Sequence, residues 1–196
     1  MAVIPEQFAV MAVDPGGTTG LAYGIFDAGE TLRETLLSAE NVEALEVYGE
    51  PVVQSWTIAE LWLDFAAEAN LSGVAVGNLH LVFEAFDVRT VLAELSPVEV
   101  IAGVRTLLVP RGSRGGVGGG VGVGVGVGPA LVSEGPSGPP PWTVDWRSQT
   151  AGAKGWATSE RLKSWDLYAL GRGSEHKRDA LRHLAVRVRR ILDGKV

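Results

Sequence analysis

Residues 8–14, Phe-Ala-Val-Met-Ala-Val-Asp, form an apolar run that closes on Pro15-Gly16-Gly17, and strand-forming residues resume from Thr19 to Phe26. Two such runs joined by a tight turn predict a hairpin. From Thr57 to Leu71, the residues Ile58, Leu61, Trp62, Phe65, Ala66 and Ala69 recur at helical spacing, so an amphipathic helix is expected with Trp62 in the core. His80 to Phe86 reads as a buried strand that carries Glu84. Ser96-Pro97 then opens a helix, Ser96 as N-cap and Pro97 at the first helical position, which should end near Leu108. Further expected elements are a strand near Pro51 to Thr57, a strand over Trp142-Thr-Val-Asp-Trp-Arg147, a helix around Thr158 to Leu167 capped by Thr158 or Ser159, and a last helix from about Ser174 to Leu192. Strands and helices interleaved in this order predict a mixed α/β sheet flanked by helices.

Composition changes abruptly between Arg111 and Pro141, where 12 of the 26 glycines and 5 of the 10 prolines fall, so this stretch supplies almost nothing to pack. The Gly-Val alternation from 117 to 128 is not read as a strand, because glycine at every second position offers no side chain and loses the most backbone entropy on ordering. Residues 111–141 are therefore expected to be a flexible, low-complexity insertion. With 196 residues, the chain has room for one ordinary domain, 1–196, around that insertion.

The net charge of −6 argues at first against a polyanionic partner, but the charge is unevenly placed. Arg147 to Val196 holds 12 Lys/Arg against 5 Asp/Glu, leaving 5 against 18 in residues 1–146, so only the C-terminal quarter is basic enough to face phosphates. A solvated helix face would give the same count. The absence of cysteine excludes disulfides, thiolate metal sites and cysteine nucleophiles. The N-terminus lacks a basic leader, and no run reaches the ~18 apolar residues of a membrane span, so a soluble, cytoplasmic protein without a membrane partner is expected.

Asp14 closes the first strand, Glu84 lies near the end of a second, and Asp179 sits on the last helix; three such carboxylates would converge if that helix crosses the sheet edge. Carboxylates so close cannot all ionise at neutral pH unless cations lie between them. Hard oxygen ligands suit Mg²⁺ or Mn²⁺, and two ions ~4 Å apart can activate water and stabilise a leaving oxygen. His176, Asp179 and His183 are spaced i, i+3 and i+7 and share one face of the last helix. His176 is the expected participant, since imidazole can accept or release a proton near neutral pH. His183 is expected to be structural and His80 to begin its strand; Glu175 is a substitute ligand, and Asp87 a turn cap that could supplement the site.

Val13-Asp-Pro-Gly-Gly-Thr-Thr-Gly20, the Phe83-Glu84 strand end and His176-Lys-Arg-Asp179-Ala180 resemble the three catalytic motifs of the RuvC-like Holliday-junction resolvases, including their phage-encoded relatives. Gln149 to Leu167 is similar to the strand-to-helix passage before the last motif in the phage members. The likeness covers most of the chain outside 27–50 and 111–141. It implies an RNase H-like fold with a mixed five-stranded sheet, and a catalytic and metal-binding set of Asp14, Glu84, His176 and Asp179. It also implies two Mg²⁺ or Mn²⁺ ions, cleavage of four-way DNA junctions to leave 5′-phosphates, and a homodimer. The setting would be the cytoplasm, that of the host cell if the protein is phage-encoded.

Lys154, Arg161, Lys163, Lys177, Arg178 and Arg182, with Arg187, Arg189 and Arg190, flank these motifs and are expected to grip DNA phosphates. Trp142, Trp146, Trp156 and Trp165 are either core residues or platforms for unpaired bases, Trp156 being the best platform. Three other readings stay open. The Asp14 loop also resembles the phosphate loop that begins sugar kinases and actin-like ATPases, although those need a second domain for which this chain is too short. An RNase H-like nuclease of RNA or non-junction DNA would use the same carboxylates. A junction-binding protein without cleavage is the third.

Overall fold

The computed structural model describes residues 4–84, 96–108, 143–149 and 152–195, with the backbone alone for Glu40 and for 143–149. The expected hairpin is there: β1 (Gln7–Asp14) and β2 (Thr19–Asp27) pair antiparallel, placing Asp14 opposite Gly20. A short helix α1 (Leu32–Leu37) follows, with Thr31 and Glu34 forming a reciprocal capping box at its start. β3 (Glu40–Val47) then pairs with the outer side of β2. β4 (Leu79–Glu84) runs parallel to β1 on the other side, and β5 (Thr143–Gln149) parallel to β4, giving the order β3-β2-β1-β4-β5. The protein is thus an α/β structure with a mixed sheet flanked by helices.

The third strand is not where the sequence pattern put it. Residues 51–57 are the opening turns of α2 (Pro51–Leu71), with Pro51 in the first turn, where its missing N–H costs nothing. Val52 and Val53 face solvent on this helix. β3 lies instead in 40–47, an edge strand whose Glu-rich sequence shows no core alternation; charge is a common guard on an exposed edge.

α3 (Ser96–Leu108) ends at the expected residue. After β5 come α4 (Gly152–Trp156), α5 (Ser159–Ser164) and the long α6 (Glu175–Leu192). Thr158 caps α5 by accepting from the Arg161 amide, and Ser174 caps α6 by accepting from that of Lys177. The insertion 111–141, Asp87 and Trp142 lie outside the described residues.

Side-chain alternation along the strands sorts the core into two layers. Ala9, Met11 and Val13 of β1, with Leu79, Leu81 and Phe83 of β4, pack against α2 and α3, where Trp62 is fully buried as expected. Phe8, Val10 and Ala12, with Val82, pack against α6, α5 and α1. Continuing each alternation by one step puts Asp14 and Glu84 on the α6 face. Since Val13 is in register with Phe83, these two carboxylates close adjacent parallel strands side by side. Among the described residues, no helix is long and apolar enough to cross a membrane.

Candidate metal centre

α6 reaches the sheet through one close approach. A Cβ on Gly20 would collide with the backbone of His176, so only glycine lets the helix settle on β2 beside Asp14. The start of α6 is also tied to β3, because the Ser174 hydroxyl donates to Glu46 Oε1 at 2.5 Å. From there the helix crosses β1 and β4, carrying His176, Asp179, His183 and Arg187 along the sheet face. His176 Nδ1 lies 3.4 Å from Asp14 Oδ2, and His183 Nε2 lies 3.4 Å from Glu84 Oε2.

The loop between β1 and β2 is held from the opposite layer. Buried Gln54 of α2 donates to the carbonyls of Gly17 (2.9 Å) and Gly49 (2.8 Å) and accepts from the Thr19 hydroxyl. Thr19 is fully buried, and its oxygen also receives the Gly16 amide at 3.4 Å. The Thr19 hydroxyl is thus spent between the loop and α2 and is turned away from solvent.

Asp14, Glu84 and His183 each offer one ligand atom, and these atoms lie within 4.8 Å of one another. Two carboxylates and an imidazole at such separations fit the coordination sphere of a single divalent ion. Without a cation the site must hold a proton. Burial, a hydrogen bond with Glu84 and repulsion from Glu84 and Asp179 together push the Asp14 carboxyl up to about 9, against the pull of Lys154. Burial would also raise Glu84, but hydrogen bonds with His183 and Asp14 and the charge of Lys154 overcome it and hold that carboxyl near 2. Within the pair, Asp14 is the carboxyl pushed up and Glu84 the one pushed down.

Asp179 is buried beside this cluster but is already countered. Its Oδ2 lies 2.5 Å from Lys154 Nζ, and its Oδ1 pairs with Arg182. Arg182 in turn donates to the Ala157 carbonyl at 3.1 Å and to Ser159 Oγ at 3.4 Å, clamping α6 to the α4–α5 turn. Glu175 is exposed in the first turn of α6 and is not in the cluster. His183, taken from its sequence as structural, lies with one ring nitrogen among the atoms that could hold an ion. Its i+4 spacing from Asp179 was visible, but its role depends on where α6 crosses β4.

The basic residues divide by location. Lys177 and Arg178 are half-buried near the start of α6, close to His176. Lys163 lies over the Tyr168 ring at 5.0 Å, and Arg161 over the Trp156 ring at 5.2 Å, on the exposed side of α5. Arg189 also lies over Trp156, at 4.7 Å, so arginines already cover the ring expected to stack on bases. Trp165 is buried in the α6-side core and Arg187 is buried with its guanidinium 3.0 Å from His80 Nδ1; neither is placed to touch DNA. Lys154 and Arg182 face Asp179.

Comparison with protein-family models, with curated proteins and with solved structures finds no match. The functional reading rests on this centre.

Proposed function

We propose that the chain is a metal-dependent endonuclease of branched DNA, with an RNase H-like fold and the catalytic plan of the RuvC-like resolvases. The observation that carries this reading is the meeting of Asp14 and Glu84, from adjacent strand ends, with the histidines and aspartate of the helix laid across them. A mixed sheet with acidic groups at one end is the arrangement that this fold implies, and the basic C-terminal quarter flanks the centre. The inward-turned Thr19 counts against the phosphate-loop alternative.

Asp14 and Glu84 hold Mg²⁺ or Mn²⁺ in this reading. The bound ion supplies Lewis-acid polarisation of the phosphodiester and a more acidic water. His176, half-exposed at the mouth of the centre, stands where it can take a proton from the attacking water or deliver one to the leaving 3′-oxygen. Lys177 and Arg178 steady the flanking phosphates without reading bases. A homodimer would place two such centres on the two symmetric strands of a four-way junction and leave 5′-phosphates. The working compartment is the cytoplasm, or that of the host for a phage protein.

The test is cleavage of a labelled synthetic four-way junction, beside duplex, flap and RNA–DNA hybrid, with Mg²⁺ or Mn²⁺, by wild type and Asp14→Asn. Paired nicks across the junction that vanish in the variant support the proposal. Cutting confined to flap or hybrid moves the function to the general nuclease, and tight junction binding without cutting identifies a binding protein.

A further inference from the structure

We infer that this centre takes one divalent ion, on Asp14, Glu84 and His183, and that the side-chain cations Lys154 and Arg182 occupy the place of a second ion at Asp179. The inference rests on the nuclease reading above and departs from the two-ion site that the resemblance implies.

Both oxygens of Asp179 are engaged, one by Lys154 and one by Arg182. Arg182 is held in place by the Ala157 carbonyl and Ser159, and its side chain is only 14% exposed, so its charge is a fixed part of the wall. Lys154 is anchored less: its side chain is 48% exposed and approaches from α4. Its ammonium group sits on Asp179 at 2.5 Å, and its charge also acts on Asp14 and Glu84.

Charge balance selects the same occupancy. Once an ion displaces the proton of the Asp14–Glu84 pair, three carboxylates against two side-chain cations carry one net negative charge. One divalent ion turns this into a single positive charge, which one phosphodiester neutralises. A second ion would leave a large positive excess in a mostly buried place, and Asp179 has no oxygen left to receive it.

The ligand set also sets metal preference. Carboxylates and water suit Mg²⁺, whereas an imidazole in the inner sphere favours the later, softer divalent metals. With the fully buried His183 as ligand, the centre should bind Mn²⁺ more tightly than Mg²⁺, by about tenfold or more, and Glu84 should be unable to hold the ion as firmly alone.

Mn²⁺ titration of the full chain by calorimetry, read together with the nitrogen hyperfine coupling in its electron spin resonance, tests this without reference to cleavage. One Mn²⁺ per chain with a histidine nitrogen coupled to it is expected. In Lys154→Met, which alters a half-exposed residue and should fold, Asp179 is released on one side and a second, weaker Mn²⁺ should appear. His183→Asn should lose the nitrogen coupling and at least tenfold in affinity; circular dichroism checks that it folds. Two ions in wild type, or no nitrogen coupling, overturn the inference while leaving a metal nuclease intact. If Asp14→Asn binds Mn²⁺ as wild type does, the centre is misplaced and the inference falls together with the nuclease reading.

Discussion

Gly20 lies against the backbone of His176, and that contact sets how far down α6 sits on the sheet. Every helix-borne group at the centre takes its height from this crossing. Gly20→Ala is expected to lift the start of α6, costing ~1–3 kcal/mol or more as an overpacked contact and separating His176 from Asp14. Urea unfolding gives the stability change and junction cleavage the functional one; a fully stable, fully active variant would show that the helix has slack the structure does not suggest.

Proton uptake at Asp14 gives the metal-free protein a pH signature. Its folded-state value of about 9 exceeds the ordinary 3.8, so its contribution to stability is complete below 3.8 and is lost as pH rises through 9. Glu84, held near 2, contributes above its ordinary 4.5 and loses that contribution only as pH falls toward 2. Between about pH 5 and 9 the melting temperature should therefore fall in chelator, the fall should shrink in Asp14→Asn, and added Mn²⁺ should offset it by replacing the proton. An equal slope in Asp14→Asn would assign the effect elsewhere.

Much of this was legible in the sequence. The hairpin, β4, α3 and α6 declare themselves by period and caps, and the carboxylates stand out because Asp14 and Glu84 close otherwise apolar strands. What misled was local chemistry shared by two states. Val52 and Val53 suit a strand, but Pro51 at a helix start outweighs them, while β3 is a charged edge whose few core-facing residues, Val42, Ala44, Leu45 and Val47, are interleaved with glutamates. His183 was hidden differently, since spacing places a residue on a helix face without saying which strand that face meets. Arg187 carries a charge that sequence alone sends to solvent, and the fold buries it against His80.

Salt dependence should separate surface cations from this buried one. Lys177→Ala or Arg178→Ala is expected to weaken junction binding and reduce the slope of log affinity against log salt by about one each. Arg187→Ala should leave that slope alone and instead destabilise the fold by about 2 kcal/mol or more, through a lost charged hydrogen bond and lost packing. Binding isotherms at several salt concentrations, with thermal melts of the same samples, decide between these assignments.

Gln54→Ala removes the partner of two loop carbonyls and the Thr19 hydroxyl in a dry environment, for an expected cost of ~1–3 kcal/mol. Its cleavage rate should drop further than its stability alone explains, because the loop it releases carries Asp14. Rate measured well below the variant's melting temperature checks this.

The same glutamine means that the centre is not confined to one side of the sheet. The strand end bearing Asp14 is clasped from behind by α2 and faced in front by α6, so its position is a three-layer property. Any tilt of α2, whether from a partner resting on its outer face or from a cavity opened around Trp62, would be transmitted through Gln54 to the first carboxylate. The helix on the far side of the sheet from α6 thereby acts as the backstop against which the carboxylate of Asp14 is braced.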